Sequence, residues 1–258
     1  MHGQLTLIFF IILVFSGTVS ADCRYQSSAH RVALLELYTS EGCSSCPPAD
    51  RWLSRLDDQG LKPDRVVPLS LHVDYWNYIG WRDPYSNRRY TQRQRKIARQ
   101  NRLGTIYTPQ LVLQGRDFRS WRSVSLAHLL ESVNQEPAGA DITLQVVPQA
   151  AREYAMSVTA KLRHPGRGRL FVAIYENQLS SNVTAGENDG RLLQHDYVVR
   201  RLYGPVQISE SASTHPDFKQ RFQLDDNWQE NSLGIAAFVE QANGEILQAM
   251  AAPLICVK

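Results

Sequence analysis

The 258-residue chain lacks the patterns that mark hydrolytic or nucleotide chemistry: it has no Gly-x-Ser-x-Gly, no His-Glu-x-x-His and no phosphate-binding Gly-rich loop. It has little net charge, +3 from 28 Lys and Arg against 25 Asp and Glu, which gives no electrostatic case for nucleic acid as a partner. No internal repeat or low-complexity segment is apparent, and no apolar run is long enough to cross a bilayer as a helix. Cysteine is scarce, with four residues and a single Cys-x-x-Cys, so a closed four-cysteine zinc site would need both remaining cysteines. What is present, 43% hydrophobic and 21% charged residues, is the composition of a soluble globular chain able to bury two cores of ordinary size.

Leu5 to Phe15 are almost purely apolar, the length of a signal-peptide core, and Val19, Ser20 and Ala21 supply small residues for cleavage after Ala21. The first four residues lack Lys and Arg, which leaves an uncleaved anchor as the alternative. Asp22 directly before Cys23 argues against a lipid-modified cysteine. Residues 1–21 are thus expected to be a signal peptide, with the mature chain periplasmic or secreted and free of the membrane. In an oxidising compartment the four cysteines form disulfides. Cys43 and Cys46 are neighbours by spacing, which leaves Cys23 and Cys256 as a structural disulfide; two free or intermolecular thiols are the alternative.

Val32 to Tyr38 is an apolar run without alternation, suited to a central strand covered on both faces. Behind the turn formers Thr39, Ser40 and Gly42, Pro47 and Pro48 fit a helix only in its first turn, so a helix starts beside Cys46 and stops near Gly60. Arg65 to Val73 reads as a second buried strand. Ser86 to Leu103 reads as a basic helix with a solvated face, Gln110 to Leu113 as a third strand that turns at Gly115-Arg116, and Val124 to Asn134 as an amphipathic helix. This order predicts an α/β thioredoxin-like domain over 22–137. After the break at Glu136 to Gly139, strand-like segments dominate, and an all-β, β-sandwich-like domain is expected over 140–258.

A thiolate is the nucleophile of disulfide exchange, and a helix N-terminus lowers a cysteine pKa. Cys43 is placed to attack, and Cys46, one turn on, to resolve the mixed disulfide. A static disulfide remains the alternative. A thioredoxin-like domain implies a cis-proline ahead of a strand facing the dithiol, which assigns Thr108 and Pro109 to substrate binding. Glu36, a charge inside an apolar strand, is a candidate proton acceptor for Cys46, or else a salt-bridged residue. The segment from His72 to Trp81 follows the second strand and is rich in aromatics; His72, Asp74 and Trp76 are assigned to the substrate side, and His72 with the two cysteines would also suit Cu(I) or Zn. Gly186-Glu187-Asn188-Asp189-Gly190 reads as a hairpin loop without the alternating ligands of a calcium site.

Four segments, ELYTSEGCSSCPPAD (36–50), HVDYWNYIGWRDP (72–84), YTPQ (107–110) and VTAGENDGRLLQHDYVV (183–199), resemble the exported bacterial family catalogued as domain of unknown function 1223. The resemblance spans nearly the whole mature chain and implies a thioredoxin-like fold without assigning a reaction. Ser44 and Ser45 between the cysteines, and Pro47 after them, depart from typical thioredoxins. The expected function is an exported thiol-disulfide oxidoreductase acting on protein or small-molecule thiols and disulfides, with no cofactor and no resident metal. A binding or scaffold protein and a soft-metal protein are the alternatives.

Overall fold

The computed structural model describes residues 22–209 and 217–256, so the expected signal peptide at 1–21 lies outside the described residues. The chain opens with β1 (Cys23–Gln26) and then β2 (Ala33–Thr39), whose seven positions are all buried. α1 (Pro47–Ser54) leads to β3 (Val66–His72), also buried throughout and parallel to β2. α2 (Arg88–Gln100) starts at Asn87, whose side chain accepts from the Arg89 N–H, and ends before the antiparallel pair β4 (Gln110–Leu113) and β5 (Arg116–Asp117). α3 (Leu126–Gln135) is capped by Ser125. Strands follow: β6 (Ala140–Ala150), β7 (Glu153–Leu162), β8 (Arg167–Glu176), β9 (Leu179–Asn182), β10 (Leu192–His195), β11 (Val198–Ser209), β12 (Phe218–Gln223), β13 (Leu233–Glu240) and β14 (Ile246–Pro253).

Eight of these strands form one mixed sheet in the order β14-β13-β8-β11-β3-β2-β4-β5. Its seam is β11, antiparallel to β8 on one side and parallel to β3 on the other, where Val198 stands opposite Ser70 and the Ser70 N–H donates to Tyr197 O. This corrects the expectation of an α/β thioredoxin-like fold followed by an all-β domain. Strand far exceeds helix among the described residues, which hold three α-helices, and strands from both halves of the chain belong to a single sheet. Periodicity identifies a strand and the faces it buries; it carries no information on which strand lies beside it.

Alternation along the strands sorts three cores. Leu34 and Tyr38 of β2, Phe171 and Tyr175 of β8 and Phe238 of β13 point to one face, where Tyr90 and Ile97 of α2 cover them. On the opposite face, Leu35 and Leu37 meet Leu53 of α1 and Leu130 of α3, while Leu170, Val172 and Ile174 meet Leu144 and Val158 from a second sheet, β1-β6-β7-β12. The expected solvated basic helix is corrected in part: α2 buries Tyr90, Thr91, Arg93, Gln94, Ile97 and Ala98, because its arginine at position 93 meets carboxylates inside the core. Cys23 is bonded to Cys256 across 233 residues of sequence, as expected. The outer edge of β14 is covered: Gln248 accepts from the Val32 N–H and donates to the carbonyls of Ser28 and His30.

Candidate functional site

β2 delivers the chain to a tight turn in which the Cys43 N–H donates to Ser40 O at 3.1 Å, and the Cys46 N–H donates to Cys43 O at 3.1 Å. Gly42 is favoured here by crowding, since a Cβ on it would stand 3.1 Å from the Trp76 Cβ. Cys46 is the N-cap of α1, and Pro47 and Pro48 occupy the first two helical positions, where no N–H is needed. Cys43 and Cys46 are joined as a disulfide with Cα atoms 5.4 Å apart. Both are buried, at 1% and 0% exposure, while Ser44 and Ser45 between them are exposed. The Ser45 hydroxyl lies 3.3 Å from Cys43 Sγ.

The loop from Gly186 to Gly190 closes over this turn. Asn188 is fully buried and donates through Nδ2 to Glu41 O (2.7 Å) and Cys43 O (3.0 Å), while Glu187 Oε2 accepts from the Ser44 N–H at 3.0 Å. Asn188→Ala leaves two buried carbonyls without this donor. It is expected to cost about 2–3 kcal/mol in chemical denaturation and to speed reduction of the Cys43–Cys46 bond by dithiothreitol several-fold; an unchanged reduction rate would remove the clamp role.

Behind the disulfide lies a set of buried ionisable side chains. Glu41 accepts from Trp81 Nε1 at 2.8 Å with one carboxylate oxygen and pairs with His195 Nε2 at 3.1 Å through the other. Asp83 Oδ2 pairs with His72 Nδ1 at 2.7 Å and accepts from the Glu41 N–H at 2.9 Å. The His72 and His195 rings stand edge to face, 4.9 Å between centroids. Asp50, one turn beyond Cys46 in α1, is 5% exposed and faces Thr39 and both imidazoles. Asp50 Oδ1, His72 Nε2 and His195 Nδ1 have no hydrogen-bond partner among the described residues. Burial pushes the Asp50 carboxyl above its ordinary value against the pull of His195 and His72, with the Asp83 charge adding to the rise. Burial opposes protonation of His72, but the Asp83 charge and hydrogen bond raise its pKa overall; burial pushes Asp83 up in turn, but the His72 charge and hydrogen bond, with the Glu41 and Tyr85 N–H groups, hold it below its ordinary value.

The sequence-based candidates divide. His72 joins this network, and Trp76 connects the disulfide turn to Thr108, packing on Gly42 and donating from Nε1 to Thr108 Oγ1 at 2.7 Å. The Thr108–Pro109 bond is cis. Pro109 lines a groove of about 460 Å3 with Thr105, Tyr107, Leu111, Arg119 and Trp121. Asp74 turns to α2 and accepts from Thr91 Oγ1 at 2.5 Å. Glu36 also faces α2; its carboxylate accepts from Arg93 and Tyr38, and none of its hydrogen bonds reaches Cys46. The buried acid on the helix that carries Cys46 is instead Asp50. No group of three or more His, Cys, Asp or Glu side chains among the described residues is arranged to hold a metal ion. Sequence reasoning missed Glu41, Asp50, Asp83, Asn188 and His195. One signal was available: in β10 Leu193 and His195 face inward, so a histidine occupies a core position of a short alternating strand.

Among solved structures, the chain resembles protein AGR_C_4864 from Agrobacterium tumefaciens (24% identity, TM-score 0.63, covering 90% of this chain and 98% of that one). It also resembles HBP35 of Porphyromonas gingivalis (18% identity, TM-score 0.64, covering 88% and 76%), and at these identities both likenesses concern the fold. No curated protein matches the chain. The four motif segments converge on the Cys43–Cys46 turn, and the model of the family described as protein of unknown function (DUF1223) matches residues 34–240, so the chain belongs to that family.

Proposed function

We propose that the protein is a thiol-disulfide oxidoreductase in which Cys43 is the sulfur that exchanges with substrate and Cys46 the resolving thiol. The observation that carries this reading is the buried ionisable set behind the pair. Glu41, Asp50, His72, Asp83 and His195 are all at or below 5% exposure, an arrangement that costs stability and that a static bond does not require. The groove beside Pro109 suits an extended thiol-bearing segment. Protein or small-molecule thiols in an oxidising compartment, the periplasm or outside the cell, are the proposed substrates.

The local donors also favour a direction. Pro47 and Pro48 have no N–H, those of Ala49 and Asp50 bond to Cys46 O, and that of Ser44 is taken by Glu187. At Cys43 Sγ the side-chain partner among the described residues is the Ser45 hydroxyl, and the Ser44 N–H is already taken by Glu187, so a Cys43 thiolate is expected to gain little stabilisation. The potential is therefore expected nearer the value of about −270 mV typical of thioredoxins than the value of about −120 mV of strong oxidants. Equilibration with glutathione, read by thiol trapping and mass spectrometry of the 43–46 peptide, measures it. A potential below about −300 mV sinks the enzyme reading. It would favour a scaffold with a static disulfide, the reading to which the 1% exposure of Cys43 and the Asn188 clamp lend support.

A further inference from the structure

Cys46 has no exposed surface, so the proton that its sulfur gains or loses in disulfide exchange must pass through an internal group. Asp50 is one helical turn away on the same face of α1, its N–H donating to Cys46 O at 3.2 Å. With Pro47, Arg51, Leu192, Leu193, Gln194 and His195 it lines a cavity of about 70 Å3 between α1 and β10, room for about two water molecules. Arg51, Leu192 and Gln194 are exposed, so the cavity leads to solvent. Two of its lining residues carry buried polar atoms, Asp50 Oδ1 and His195 Nδ1, that have no hydrogen-bond partner among the described residues.

We propose that Asp50 and His195 form a rear proton channel for Cys46, separate from the front, where Cys43 meets substrate. This deepens the oxidoreductase reading and rests on it. In the reductive direction a substrate thiolate attacks Cys43 Sγ. The Cys43–Cys46 bond breaks, its electron pair leaves on Cys46 Sγ, and Asp50 in its acid form delivers a proton to that sulfur. The second substrate thiolate then attacks the substrate sulfur of the mixed disulfide and releases Cys43 as thiolate. The sum converts a substrate dithiol and the protein disulfide into a substrate disulfide, Cys46 thiol, Cys43 thiolate and one proton. Asp50 regains its own proton through the cavity. Burial keeps the Asp50 carboxyl above its ordinary value, which favours the acid form this step uses. The charged groups around it are His195 on β10 and His72 on β3, with Glu41 and Asp83 behind the two imidazoles.

The test is reduction of the oxidised protein by dithiothreitol between pH 4 and 8, quenched in acid and read at the 43–46 peptide, with rates normalised to the dithiol thiolate. The wild-type normalised rate is expected to fall as pH rises through the Asp50 pKa. Asp50→Asn is expected to be flat and about 10-fold slower at the acid end, Asp50→Glu to restore the inflection, and His195→Gln to move it to higher pH. Folding of the variant is checked by its melting temperature. A carboxyl whose folded pKa lies above the unfolded value of 3.8 contributes stability below that value and loses it as pH rises through the folded one. Asp50→Asn is therefore expected to melt above wild type at pH 7, with the difference shrinking in acid. A folded Asp50→Asn that keeps the wild-type pH profile overturns the channel. So does stoichiometric zinc or copper bound by wild type and lost in the variant, which would make Asp50 a ligand. The channel can fail while the reduction potential still supports exchange chemistry; a potential in the structural range removes both readings.

Discussion

Arg93→Met is expected to destabilise the protein by about 3–5 kcal/mol. Arg93 leaves α2 pointing into the sheet and is 7% exposed. Its Nε and Nη2 donate to both oxygens of Glu36 at 2.6 and 3.0 Å, and its Nη1 donates to Glu240 at 2.9 Å. The guanidinium also lies over Phe171 and Phe238, 4.7 and 4.9 Å from their ring centroids. Methionine fills much of the same volume, so packing is largely kept and charge is what is lost. Glu240 retains Lys96 and Arg169. Glu36, with no exposed surface, retains among the described residues only the Tyr38 hydroxyl. Urea denaturation at pH 7 measures the loss. Adding Glu36→Gln to Arg93→Met should recover much of it, because no unpaired carboxylate then remains in the core. A single variant within about 1 kcal/mol of wild type would mean that Glu36 finds water or another partner, and that the network does not hold α2 to the sheet.

The second large effect is expected from the Cys23→Ser/Cys256→Ser double variant. The bond closes a loop of 233 residues, for which chain entropy predicts on the order of 5 kcal/mol, or a fall of about 10–20 °C in melting temperature for a chain of this size. Cys23 is itself buried in the core between the two sheets, on β1 at the edge of its sheet, opposite Val146 of β6. Calorimetry of the double variant beside the oxidised wild type makes the comparison. A fall below about 2 °C would show that the two ends are held by packing rather than by the bond. The Cys43–Cys46 bond closes a separation of three residues and contributes far less by this mechanism.

Local pattern reached the strands β2 and β3, the three helices, the helix start at Cys46 and the pairing of Cys23 with Cys256. β14, ILQAMAAP, was not legible locally, since its three alanines carry weak strand preference; it is buried because β13 and the 28–32 segment enclose it. Glu36 stood open between proton acceptor and salt-bridged residue, and its carboxylate pairs with Arg93, 57 residues away on a helix expected to be solvated. The larger gap concerns the site itself. Glu41, Asp83, Asn188 and His195 come from three separate stretches of chain, and only the return of β10 to the end of α1 puts them around one disulfide. The GENDG loop was recognised as a turn; nothing local to it says that its asparagine holds a carbonyl 145 residues earlier.

The parallel pairing of β11 with β3 sets an order of events during synthesis. When the ribosome has released β1 through α3, β3 is an apolar strand with one flank unpaired, and the strand that covers it begins only at Val198. An open, largely apolar strand flank is a template for intermolecular pairing. Chains truncated before Val198 are thus expected to aggregate more readily than the full chain, since the strand that covers β3 begins more than a hundred residues beyond His72.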